Sequence, residues 1–122
     1  MTKTIRLLAL TGILALGFTG TALAHAHLKK SMPAAGSTLT AAPTEIDFTC
    51  SEDVNLKFTG IKVTTSDGKQ VTTGEGVLMD KDTTLMVPLT GTLGAGQYTV
   101  DWHALSKDGH KTNGTFTFTV KP

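Results

Sequence analysis

Cysteine is almost absent: Cys50 is the only one in 122 residues. No disulfide can form within the chain, so its fold must hold by packing. Arginine is equally scarce, because Arg6, the only one, lies in what reads below as a leader. Without a guanidinium fork there is no bidentate clamp for phosphate or carboxylate groups, and phosphoryl chemistry is not expected. The sequence has no Gly-rich phosphate loop, no Cys-x-x-Cys pair, no His-Glu-x-x-His helix and no recognisable Ser, His and Asp nucleophile motif. Beyond residue 24 nothing approaches the ~18 to 20 continuous apolar residues of a transmembrane helix, and helical periodicity never lasts more than a few residues. Neither sign of charge dominates: with Lys3 and Arg6 set aside, nine lysines face ten acidic residues. Such a balance offers no basic face to nucleic acid or anionic membrane.

What is present starts with a leader. Lys3 and Arg6 form a short basic region, residues 7–18 are an apolar run broken only by Thr11, Gly12 and Gly17, and Ala22-Leu23-Ala24 fits the small-residue cleavage rule. The expectation is a signal peptide over residues 1–24, cleavage after Ala24, export to the periplasm, and one domain over residues 25–122, a length that suits a single core. Cys50 would then meet an oxidising compartment unpaired. It shares a strand face with Ile46 and Phe48, which points to a buried, inert thiol.

Runs rich in Thr, Val and Phe recur between Gly, Pro and Asp-Gly punctuation, the pattern of an all-β protein. Short strands are expected at 28–32, 45–50, 60–65, 70–73, 83–89, 97–106 and 115–120. Residues 56–58 read as extended, 33–43 as a connection that its prolines keep out of a sheet interior, and 74–82 as a loop or weak strand. Asp67-Gly68 supplies the positive φ of a hairpin turn. Tyr98, Val100, Trp102 and Ala104 fall on one strand face, with Thr99, Asp101 and His103 on the other. About seven strands at this spacing describe a two-layer Greek-key sandwich.

All four histidines, at 25, 27, 103 and 110, lie beyond the expected cleavage point. A chain that begins at His25 offers two nitrogens from one residue, its α-amine and its imidazole Nδ1, and both can chelate one metal. Asp108 and His110 flank Gly109 two positions apart, so in an extended segment they point the same way; alone, Asp-Gly-His is more often a plain turn. Together these groups make three nitrogens and an oxygen, a donor set that suits Cu(II). His27, in third position, is a further candidate ligand. Met32, Met79 and Met86 are scattered along the sequence, and no clustered thioether site for Cu(I) is expected.

The opening His25-Ala26-His27-Leu28, the Ser51-Glu52 pair, the strand Gly96-Gln97-Tyr98-Thr99-Val100-Asp101-Trp102 and the segment Ser106-Lys107-Asp108-Gly109-His110-Lys111-Thr112-Asn113-Gly114 resemble the CopC family of periplasmic copper resistance proteins. The resemblance implies an immunoglobulin-like β-sandwich that binds one Cu(II) per chain through the amine and imidazole of His25 with Asp108 and His110. It also implies a CopD-type inner-membrane partner. Some members carry a methionine-rich Cu(I) loop; residues 66–76 have no methionine, so this chain resembles a short, Cu(II)-only branch. It departs from the family in having His103 where many members have Arg, and Cys50 where Phe is common. His103, opposite in phase to Trp102, is read as exposed or supporting rather than as a ligand.

The expected function is therefore a non-enzymatic, monomeric Cu(II) carrier for copper homeostasis or resistance. Two rivals come from other classes. A histidine-brace oxygenase would hold copper similarly, but needs an aromatic substrate platform that Tyr98 and Trp102, assigned to the core, do not leave. An interaction sandwich would bind metal only incidentally, and would lose one equivalent of Cu(II) to a moderate chelator.

Overall fold

A computed structural model describes residues 28–122. The expected leader, its cleavage point, His25 and His27 lie outside the described residues. Alternation along residues 97–104 builds the centre of the fold: Tyr98, Val100, Trp102 and Ala104 are all buried, while Asp101 and His103 face solvent. Around them the described residues form nine strands, β1 (Leu28–Met32), β2 (Ser37–Leu39), β3 (Glu45–Cys50), β4 (Gly60–Thr65), β5 (Gln70–Val71), β6 (Val77–Met79), β7 (Thr84–Pro88), β8 (Gly96–Leu105) and β9 (Lys111–Val120). One sheet has the order β1-β3-β7-β6 and the other β2-β9-β8-β4-β5, giving the two-layer all-β sandwich expected. No helix among the described residues is long and apolar enough to cross a membrane.

The inner faces meet through Ile46, Phe48 and Leu85 on one side and Val63, Val100, Trp102 and Phe118 on the other, all buried. Each such side chain contributes about 1.5–3 kcal/mol on burial. The Phe48 and Trp102 rings lie 5.7 Å apart, centroid to centroid. Trp102 also lies against the backbone of Gly114 in β9, where a Cβ would come within 2.8 Å of the ring. The Tyr98 hydroxyl donates to the Gly94 carbonyl at 2.8 Å, tying strand to preceding loop as a tyrosine corner does in immunoglobulin-like sandwiches. Both large aromatics are thus committed to packing, as the sequence suggests.

Four local readings are corrected. The connection at 33–43 contains β2, which pairs in parallel with β9 from Ser37↔Phe118 to Leu39↔Val120. Residues Leu56–Phe58 form a 3₁₀ turn rather than a strand, because the Asn55 side chain accepts from the Lys57 amide and caps it. The return strand expected at 70–73 shortens to Gln70–Val71. The last strand starts at Lys111, since pairing with β8 continues outward to Leu105↔Lys111. Cys50 is buried as expected, and burial pushes its thiol up to about 11.

Asp47 sits on the outer face of β3, between Met32 of β1 and Met86 of β7. Burial, then a hydrogen bond with Glu45 and repulsion from it, raise its carboxyl from 3.8 to about 6. Between those values the folded chain holds a proton that the unfolded chain releases, so this contribution to stability is complete below about 4 and is lost as pH rises through about 6. Asp47→Asn cannot ionise, and is expected to exceed the parent in stability at pH 7.5 by about 1–2 kcal/mol, allowing for solvent screening, while matching it near pH 4. Denaturant unfolding of both proteins at the two pH values checks this; a constant difference would refute it.

Candidate metal centre

Because β8 and β9 pair out to Leu105↔Lys111, residues 106–110 must reverse the chain within one short loop. The Ser106 amide donates to the His110 carbonyl at 2.9 Å and the Gly109 amide to the Ser106 carbonyl at 2.9 Å. Gly109 takes φ +96°, a left-handed geometry that a residue without Cβ adopts freely. Ser106 is buried, and its Oγ accepts from the His110 amide at 3.2 Å while donating to Asp108 Oδ1. The same Oδ1 meets His110 Nδ1 at 3.0 Å. Asp108 and His110 are therefore brought together as the sequence suggests, with side chains 51% and 48% exposed.

The hydrogen bond from Ser106, and after it the one with His110, hold the Asp108 carboxyl below the usual carboxylate range. Asp108 is an anion at neutral pH. In the tautomer whose Nδ1 proton is donated to Asp108, the carboxylate orients the imidazole and His110 keeps its Nε2 lone pair for a metal. Ser106 is the residue that sequence reasoning left without a role. Its position two before Asp108, at the last buried point of the strand, is the available signal.

The loop rests on a stiff support. Val54 bridges to Ser106, the Asn55 amide donates to Leu105 at 2.8 Å, and the Lys107 amide donates to Asp53 at 3.1 Å. The Lys107 ammonium pairs with Asp82. Asp82 ends a turn, Asp80-Lys81-Asp82, whose three residues have φ of 52°, 58° and 67°. Left-handed backbone at non-glycine residues costs about 1–2 kcal/mol each. The Thr83 hydroxyl bond to Asp80 and the Val54 amide bond to Asp82 hold it there. Leu28, the first described residue, pairs with Cys50, directly ahead of the 51–55 segment that braces the loop. The chain thus enters the sandwich at the end that carries Asp108 and His110.

His103 does not join them: it is exposed on the outward face of β8, with its ring over Gly60. Among the described residues no group of three or more His, Cys, Asp or Glu side chains is placed to hold a metal. Asp108 and His110 supply two donors, and a four-coordinate ion would need others.

Fold and loop define a small β-sandwich domain that presents a carboxylate and an imidazole side by side at one end. The CopC domain model matches residues 28–121, and the chain belongs to the CopC family. It is 46% identical over 99 residues to Protein YobA of Escherichia coli K12, covering 80% of each chain. It is 38% identical over 120 residues to copper resistance protein C of Escherichia coli, covering 92% of this chain and 94% of that one. The crystal structure of PcoC, a methionine-rich copper resistance protein from Escherichia coli, superposes with a TM-score of 0.73 at 36% identity, over 80% of this chain and all of that one. A copper-related role follows from this membership, and the relatives named for a function are copper resistance and copper transport proteins.

Proposed function

We propose that the chain is a periplasmic, monomeric carrier. It captures one Cu(II) through the α-amine and imidazole of His25 together with Asp108 and His110, and passes it to a CopD-type membrane protein. The observation that carries this reading is the entry of the chain beside the loop. Leu28 pairs with Cys50 at the loop end of the sandwich, and His25 is three residues upstream, a span of at most about 10 Å when extended. Asp108 provides an anionic oxygen held by Ser106, and His110 an imidazole held by Asp108. The two nitrogens of His25 complete a donor set suited to Cu(II). No catalytic step is assigned; the protein's work is capture and release.

Processing after Ala24 is part of this reading, because it frees the amine. Imidazoles and α-amines ordinarily take up protons near ~6.5 and ~7.7–8.0, and each must give up its proton to ligate. The Asp108 carboxyl, held low, stays ionised and does not compete. Three nitrogens of these types in competition with protons should lower Cu(II) affinity roughly ten-thousandfold between pH 7 and pH 5. Chelator-competition titrations of the mature protein across that range, with its mass verified, test the reading. An affinity independent of pH would sink it.

A further inference from the structure

The Leu56–Phe58 turn buries none of its residues, yet the chain holds it in place from several sides. The Asn55 side chain caps it, the Asn55 amide donates to the Leu105 carbonyl at 2.8 Å, and the Leu105 amide donates to the Thr59 hydroxyl at 3.1 Å. Leu56 is thereby kept 44% exposed and Phe58 53%. Large apolar side chains held rigidly in solvent add little to folding, whereas a preorganised apolar anchor is what an interface uses. The turn directly follows the segment that braces the Asp108 and His110 loop through Val54 and Asp53.

Phe58 walls an open groove of about 350 Å³ on the outer face of β8 and β9, lined also by Lys57, His103, Leu105, Lys111 and Asn113. The chain as a whole nearly balances its charges, but this face does not. Neither Lys57 nor Lys111 forms an ion pair among the described residues, and the Lys57 ammonium lies 5.7 Å from the centroid of the Phe58 ring. Lys62 adds a third cation as the register partner of Asp101, whose Oδ1 accepts from the Thr115 hydroxyl at 2.8 Å. Three ammonium groups and one carboxylate around an exposed ring complement an acidic segment that carries an apolar side chain. Because β8 is paired on both sides, with β9 and β4, it offers no edge to an added strand, and side chains must do the recognising. A flat bilayer has nothing to place in a concave groove, and three lysines fall short of the clusters of about four to eight that bind anionic lipid.

We propose that this groove is the docking surface for the copper acceptor, which presents an acidic protein segment to it. An aromatic or aliphatic side chain of that segment packs beside Phe58 and Leu105, and its flanking carboxylates meet Lys57 and Lys111. Lys111 follows His110 directly, so a segment seated here lies next to the loop that gives up the metal. That the partner is the acceptor rests on the carrier reading; the groove and the chemistry it selects do not.

The probe is a synthetic peptide with blocked ends, Asp-Glu-Leu-Phe-Glu-Asp, titrated into ¹⁵N-labelled mature apo-protein, with Asn-Gln-Leu-Phe-Gln-Asn as its neutral control. Amide signals of residues 56–58, 103–105 and 111–113 are expected to shift together along one saturating curve. The dissociation constant should rise about fivefold or more as ionic strength goes from about 20 to about 300 mM. Lys57→Glu combined with Lys111→Glu should raise it about tenfold or more, and Phe58→Ala by a similar factor. All three positions are exposed, so unfolding curves should show these variants folded. Signals that stay still at millimolar peptide, that shift elsewhere, or that respond equally to the neutral control would overturn the surface. So would phosphatidylglycerol vesicles moving the same amides in preference to the peptide, which would make this face a membrane contact. Chelator competition on the same protein keeps the two readings apart. Cu(II) captured while the peptide stays unbound removes the docking surface alone; peptide bound while Cu(II) is not captured upholds the groove and removes the carrier reading.

Discussion

One additional residue left ahead of His25 is expected to weaken Cu(II) binding by at least about a hundredfold. An α-amine turned into a peptide nitrogen loses its basic lone pair, and with it the chelate ring that makes a first-position histidine different from an internal one. The change falls before Leu28, where β1 begins, so the sandwich has no reason to respond. Thermal unfolding of the apo-protein should be unchanged while chelator competition shows the loss. That combination separates loss of a ligand from loss of the fold. Undiminished affinity in the extended protein would mean that Asp108 and His110 find their remaining donors elsewhere, and that the terminus is only incidental.

The sequence made the centre of this fold legible because the long inner strand alternates cleanly: Tyr98, Val100, Trp102 and Ala104 are buried as their phase requires. The same rule fails where a segment is too short to show a period. β2 is three residues in a Gly, Ser and Thr connection, paired only along one edge with β9, so pairing rather than its own pattern defines it. Residues 56–58 are equally short, and the Asn55 cap decides between turn and strand. β6 shows no period for another reason: Val77 and Met79 are apolar yet face outward beside inward Leu78, which erases the alternation.

The site shows the same division. Spacing alone brought Asp108 and His110 together, since two residues across a glycine turn can hardly be separated. The buried hydroxyl of Ser106 that fixes them, and the Lys107 to Asp82 pair that ties their loop to a left-handed turn, depend on tertiary neighbours. The groove beside the loop is the extreme case. Lys57 and Lys111 come to one groove only through the packing of the Leu56–Phe58 turn beside the β8-β9 pair, which one-dimensional spacing does not encode.

His110→Ala is expected to lower Cu(II) affinity by about a hundredfold or more, while His27→Ala should change it by no more than about threefold. The two substitutions separate two ways in which one terminus could hold copper. His25-Ala26-His27 satisfies the amino-terminal copper motif, in which the amine, two backbone amides and the third-position imidazole form a plane without any fold. Under that arrangement His27 is essential, His110 is irrelevant, and a short peptide beginning at His25 binds as tightly as the protein. In the brace, His25 contributes amine and imidazole, and the other donors come from a loop that exists only after β8 and β9 have paired. The hydrogen-bonded placement of Asp108 against Ser106 and His110, beside the point where the chain enters the sandwich, would have no purpose under the local motif. His110 is half exposed, so its removal leaves the core untouched and the comparison is one of ligands. Competition titrations of the two variants and the peptide give the order directly, and its reversal would assign the copper to the terminus alone.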